Sequence, residues 1–171
     1  MDASGLSDDE FVAGAKDFKS TGKGWYFNFD PLKTLDLTFA FVSGNDADLV
    51  TTGVNNFKAD GDGSYDILFG WDKSNGALTA GQTSVYDITS TTYGNLLDSS
   101  WFNFLSQPPT GGNGPFYTAA HVQGIDIPGE EDGSGWIAPN TPVPEPATML
   151  LLGTGLVGLA GASRKKFLKK S

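Results

Sequence analysis

Few side chains in this sequence could do chemistry, and their types narrow the options quickly. There is one histidine, His121, and no cysteine. Thiolate nucleophiles, thiolate metal sites and disulfide frameworks are therefore excluded. A lone imidazole serves as a general base only beside an oriented partner and a nucleophile, and no such pair is advertised. His121 lies between Ala120 and Val122 in an apolar, strand-like stretch. It reads as a hydrogen-bonded structural residue. One histidine without cysteine also makes a poor zinc ligand set.

The best-spaced hard oxygen donors are Asp60, Asp62 and Asp66, in the run DGDGSYD. Carboxylates alternating in a tight loop can converge on calcium. A calcium loop of the helix–loop–helix kind wants glycine sixth and glutamate twelfth, and Tyr65 and Trp71 stand there instead. Asp-Gly pairs also build turns ahead of strands, and that is the reading adopted. No cofactor is assigned, with calcium at Asp60, Asp62 and Asp66 as the lesser alternative. Asp46, Asp48 and the acids at 130–132 read as solvated loop charges. Glycoside hydrolysis needs only two carboxylates, but twenty acids scattered without a motif single out no pair. The chain is read as non-enzymatic.

These residues must be held by short strands. Twelve Phe, four Trp and 23 Gly favour strands joined by Gly-rich turns over long helices. Trp25–Phe29 alternates an aromatic face with a mixed one. Leu35–Phe41 is the cleanest period-two run, and Tyr65–Trp71 is another. Asn75-Gly76 then signals a tight turn. Thr83–Thr89, Trp101–Leu105 and Phe116–Val122 complete the set, with dense punctuation at 107–115. A helix is expected near Ser7–Lys19, where Ser7 can cap and Asp8–Glu10 suit the first turn, and a brief one near Asn95–Phe102. The expected fold is an all-β sandwich of jelly-roll-like kind over residues 1–138, followed by a C-terminal transmembrane helix.

The net charge of −9 hides an asymmetry. Arg164, Lys165, Lys166, Lys169 and Lys170 crowd the last eight residues, leaving six basic and twenty acidic side chains before them, a net of −14. An acidic body repels phosphate backbones, so nucleic acid is not an expected partner.

Pro139, Pro142, Pro144 and Pro146 impose an extended spacer over 139–146. From Ala147 to Ser163 the chain carries no charge and is apolar on every side, unlike an amphipathic core helix. Seventeen helical residues would span about 25 Å, the short end of what crosses a bilayer. The basic segment 164–171 follows at once. The positive-inside rule keeps it cytoplasmic and places the body on the far side.

Val143-Pro144-Glu145-Pro146, the apolar span and Arg164-Lys165-Lys166 together resemble the PEP-CTERM sorting signal of Gram-negative bacteria. The parts stand in that order and at the expected spacing. The resemblance implies recognition by an exosortase, cutting near Pro144-Glu145-Pro146, and delivery from the inner membrane to the cell surface or an exopolysaccharide matrix. It covers residues 143 to about 168. Such proteins enter through a signal peptide, whereas Met1–Leu6 is neither basic nor apolar and Asp8, Asp9 and Glu10 follow. A missing N-terminal segment is therefore expected. A second resemblance, on Ala119–Ile125 and Asp132–Ile137, is to the ends of β-rich ectodomains in such proteins. It implies a late strand, a turn and a closing strand whose Trp136 packs on the core. The expected protein is a surface protein with a non-enzymatic body. The alternatives are a carbohydrate-binding module, which would show a flat face of exposed tryptophans, and a small polysaccharide-active hydrolase, which would show a cleft with two carboxylates.

Overall fold

The computed structural model describes residues 1–12, 23–73, 76–107, 113–127 and 130–138. Among them run nine strands: β1 (Phe11–Val12), β2 (Trp25–Phe27), β3 (Leu37–Gly44), β4 (Leu49–Ala59), β5 (Gly63–Gly70), β6 (Leu78–Thr79), β7 (Ser84–Ser90), β8 (Thr118–Ile127) and β9 (Glu130–Ile137). Every pairing is antiparallel; β3 and β7 form a two-stranded sheet and the other seven form a larger one. All belong to one compact unit, Met1–Thr141.

Strand β8 organises the large sheet. It pairs with β9 across Ala120–Ile127, with β2 across Thr118–Ala120 and with β1 at Val122 and Gln123. A strand has two edges, and β9 meets the same residues of β8 that β1 and β2 meet. β1 and β2 therefore share the opposite edge, lying end to end as one interrupted strand. The His121 amide reaches the Gly24 carbonyl at 2.9 Å along this line.

The small sheet alternates over Leu37–Ala40 and along the whole of β7. Leu37, Phe39, Tyr86 and Ile88 are half-buried while Thr38, Ala40, Asp87 and Thr89 face out. The inward set packs on β5, with Phe39 and Phe69 edge to face at 5.3 Å and Phe69 and Tyr86 at 5.1 Å. Val12, Ile67, Phe69, Trp71 and Val122 make the core on this side of the large sheet. Tyr26, Phe57, Tyr65, Leu68 and Ala119 form a second cluster. Strand β5 is buried nearly throughout, because it has a strand on each edge and a cluster on each face.

The sandwich expectation holds, and several details differ. Among the described residues the strands divide seven and two, rather than evenly as in a jelly roll. The expected helix at Ser7–Lys19 is replaced, in its described part, by a turn in which Glu10 N donates to Ser7 O, followed by β1. Phe11 and Val12 gain ladders on both edges, and burial of Val12 outweighs local helix preference. Trp101–Leu105 forms no strand. Two 3-10 turns, Gly94–Leu96 and Ser99–Phe102, occupy this region, the second capped by the Asp98 carboxylate on Ser100 N at 2.8 Å. Strand β4 was not anticipated. Gly53, Asn55 and Asn56 break its alternation at a bulge, where Asn55 takes a φ of 51°.

Among the described residues no helix is long and apolar enough to cross a membrane. The expected span at 147–163, the spacer at 139–146 and the basic segment at 164–171 lie outside them.

Candidate functional site

The body closes on the β8–β9 hairpin, in the register that the sequence phrase AAHVQGI and GSGWI suggests. His121 stands opposite Trp136, their rings 5.2 Å apart and edge to face. Trp136 also lies 4.8 Å from the Tyr26 ring. Its packing role is as expected, and His121 is only 5% exposed. Burial pushes the Tyr26 hydroxyl well above the ordinary phenol range, with Asp60 adding to the effect. Gly124 is required where it stands. Its φ is 75°, and a Cβ there would lie 2.2 Å from the Asp9 carbonyl of the segment entering β1. Without that close approach, β1 could not seat against β8.

The three aspartates suggested as calcium donors are not brought together. Among the described residues no three His, Cys, Asp or Glu side chains form a group able to hold a metal ion. Asp66 points both oxygens at backbone amides, Oδ2 accepting from Phe29 N at 3.0 Å and Oδ1 from Asn55 N at 2.7 Å. It latches the β4 bulge to the chain leaving β2. Asp62 is buried in the turn before β5, where its carbonyl accepts from Ser106 Oγ at 2.9 Å. Burial pushes its carboxyl upward, partly offset by a hydrogen bond with Asn113. Asp60 is exposed on the same turn.

No flat tryptophan face forms from the four indoles. Trp71 is wholly buried, and Trp25, Trp101 and Trp136 are half-buried against neighbouring rings or strands. Trp25 Nε1 donates to Thr118 Oγ1 at 2.8 Å, and Trp101 carries the Lys33 ammonium over its ring at 4.5 Å.

Two of the recesses among the described residues have aromatic side chains in their walls. One, of about 230 Å³, lies between the sheets and is walled by Phe27, Phe39, Ile67, Phe69, Tyr86 and Ile88. The other, of about 280 Å³, lies where the β4 bulge, the segment leaving β2 and the segment at 104–107 meet. Its wall includes Asn28, Asp30, Asn55, Phe104, Leu105 and Gln107. Of its two acids, Asp30 and Asp66, the second is committed to the backbone amides named above. Sequence reasoning did not find this cleft, because its residues come from four separated segments.

The Pro-Glu-Pro residues Val143, Pro144, Glu145 and Pro146 and the basic Arg164, Lys165 and Lys166 lie outside the described residues, so their reading rests on sequence. The PEP-CTERM protein-sorting motif family matches the chain at residues 142–165. No curated protein and no solved structure matches it. The chain thus carries a PEP-CTERM sorting motif, beginning five residues after the closing strand at Ile137. That motif supports a secreted, membrane-associated surface protein targeted to an exosortase.

Proposed function

We propose that this chain is a non-enzymatic surface protein whose β-sandwich body is the cargo and whose C-terminal thirty or so residues are the address. The observation that carries the reading is the sorting-motif match at 142–165, placed directly after the body's last strand. Pro139, Pro142, Pro144 and Pro146 each lack the N–H that a strand ladder needs, which suits a segment that a protease must engage. Residues 147–163 hold the chain in the inner membrane, and Arg164, Lys165 and Lys166 keep the end cytoplasmic. An exosortase cuts near Pro144-Glu145-Pro146 and releases the body toward the cell surface or an exopolysaccharide matrix of a Gram-negative cell.

Two features support a body without catalysis. The lone histidine is buried against the Trp136 ring. Of the two carboxylates at the polar cleft, Asp66 has both oxygens engaged by amide donors and is not placed to pass a proton to a substrate.

The test is the mature C-terminus, read by mass spectrometry on surface and membrane fractions of the native cell. An end near Pro144–Ala147 is expected in the surface fraction. Replacing Pro144, Glu145 and Pro146 by alanine should leave the protein in the inner membrane with Ser171 intact. Arrival of that variant at the surface, trimmed as before, would overturn the reading.

A further inference from the structure

The polar cleft behind the β4 bulge carries hydrogen-bonding capacity that the fold does not use. Asn28 is 3% exposed, yet its Nδ2 reaches only the Phe116 carbonyl at 3.5 Å, the limit of a hydrogen bond. Asp30 is 9% exposed; its Oδ1 accepts from Leu32 N at 2.9 Å. Neither Asn28 Oδ1 nor Asp30 Oδ2 has a partner among the described residues. Among those residues the fully enclosed side-chain atoms without partners are Trp71 Nε1 and Ser84 Oγ. The free oxygens of Asn28 and Asp30 are therefore not sealed in. Both residues line the cleft, which supplies their access to solvent.

The cleft is also built rather than accidental. Asp66 fixes its floor by holding Phe29 N and Asn55 N from two different segments. Asp30 N donates to the Trp101 carbonyl at 2.8 Å, and Lys33 N to the Asp30 carbonyl at 2.9 Å, which pins the segment carrying Asp30. The half-buried Phe104 and the exposed Leu105 line it as well.

We propose that this cleft binds one neutral sugar ring of a glycan. A metal ion lacks three ligating side chains. An anionic group meets two carboxylates, Asp30 and Asp66, against one ammonium, Lys33, which is already placed over Trp101. An apolar ligand would cover the free oxygens of Asn28 and Asp30 with nothing to donate to them. A sugar ring answers both the polar and the apolar lining. Its hydroxyls donate to Asp30 Oδ2 and Asn28 Oδ1 and accept from Asn28 Nδ2, while its C–H face lies on Phe104 and Leu105. The volume, about 280 Å³, falls just below the range of roughly 300–1,000 Å³ that takes drug-sized ligands, which limits the cleft to about one ring. This is a cleft and not a tryptophan platform, so it goes beyond the sorting reading and does not depend on it.

The test is a titration of the purified full-length chain, in a detergent without a sugar headgroup, with glucose, galactose, mannose and glucuronate. Backbone amide NMR shifts are the readout. At least one neutral hexose should give saturable shifts at Asn55 and Phe104–Gln107 with a Kd of about 1 mM, as a single ring with few contacts allows. Asp30→Ala should weaken binding about tenfold. Leu105→Trp fills the mouth from an exposed position, spares the core, and should abolish binding with the remaining spectrum unchanged. The proposal is overturned if no neutral hexose gives saturable shifts up to about 100 mM, a hundredfold above that Kd. It is overturned equally if glucuronate binds as well as the neutral sugars, or if Leu105→Trp leaves binding intact. None of these results bears on whether the C-terminus is processed.

Discussion

Replacing Asp66 with alanine should unlatch the β4 bulge from the segment leaving β2. The carboxylate accepts two backbone hydrogen bonds, 3.0 Å from Phe29 N and 2.7 Å from Asn55 N, at a residue only 9% exposed. Hydrogen bonds to a charged group contribute about 1.5–3 kcal/mol each, and amides left buried without an acceptor cost a similar amount. Two such bonds amount to about 3–6 kcal/mol, against a total stability of about 5–15 kcal/mol for a domain. Asp66→Asn keeps one acceptor and turns a donor toward the other amide, so it should lose about half as much. Urea unfolding followed by tryptophan fluorescence reads both, since the wholly buried Trp71 must become exposed. Hydrogen exchange adds the local signature: the Phe29 and Asn55 amides should lose protection before the amides of β5 do. The reasoning fails if Asp66→Ala unfolds within about 0.5 kcal/mol of wild type. It fails too if those two amides stay protected in that variant.

Gly124→Ala combines an unfavourable φ of 75° with a Cβ 2.2 Å from the Asp9 carbonyl; a loss of about 2 kcal/mol or more is expected in denaturation, with faster amide exchange in β1. Trp136→Ala removes ring contacts to Tyr26 and His121 from a half-buried position, so about 2 kcal/mol should go, less than for a fully buried tryptophan, together with near-ultraviolet circular dichroism. Asp36 is held well below the ordinary carboxylate range by hydrogen bonds from Ser90, Thr91 and Thr92. A lowered folded pKa means stability that is present above the ordinary value of 3.8 and lost as the pH falls below it. The stability gap between wild type and Asp36→Asn should therefore be full at neutral pH and close in acid, as read by unfolding at a series of pH values. Burial pushes the Tyr65 hydroxyl from 10 up to about 12, so its contribution is complete below pH 10 and fades between there and 12; ultraviolet titration of phenolate should show this group ionising late.

Local pattern was enough for whatever depends on residue type and near neighbours. The absence of cysteine, the acidic body and the basic end, the proline spacer and the uncharged span are properties of composition and order, and the sorting motif is a linear signal read as such. The strands at Leu37–Gly44 and Ser84–Ser90 were legible because each has one face on a core and one in solvent, which writes a period of two into the sequence. Strand β4 escaped because its order comes from elsewhere: Asp66, on another strand, supplies the acceptor that lets Asn55 sit at positive φ and the bulge form. Strand β1 escaped because two residues carry no period at all, and only pairing to β8 and β6 makes them a strand. The aspartates of 60–66 looked like a cluster in one dimension. In three dimensions one latches the backbone, one is buried in the turn and one faces solvent, because a strand sends neighbours to opposite faces and the turn before it redirects them again. The cleft was invisible in the sequence for the converse reason. Asn28, Asp30 and Asn55 are brought together by long-range pairing of β2, β4 and β5, and Leu105 by the bridge of Gln107 to Ser64; the strand pairing is decided by which apolar faces can be buried at once.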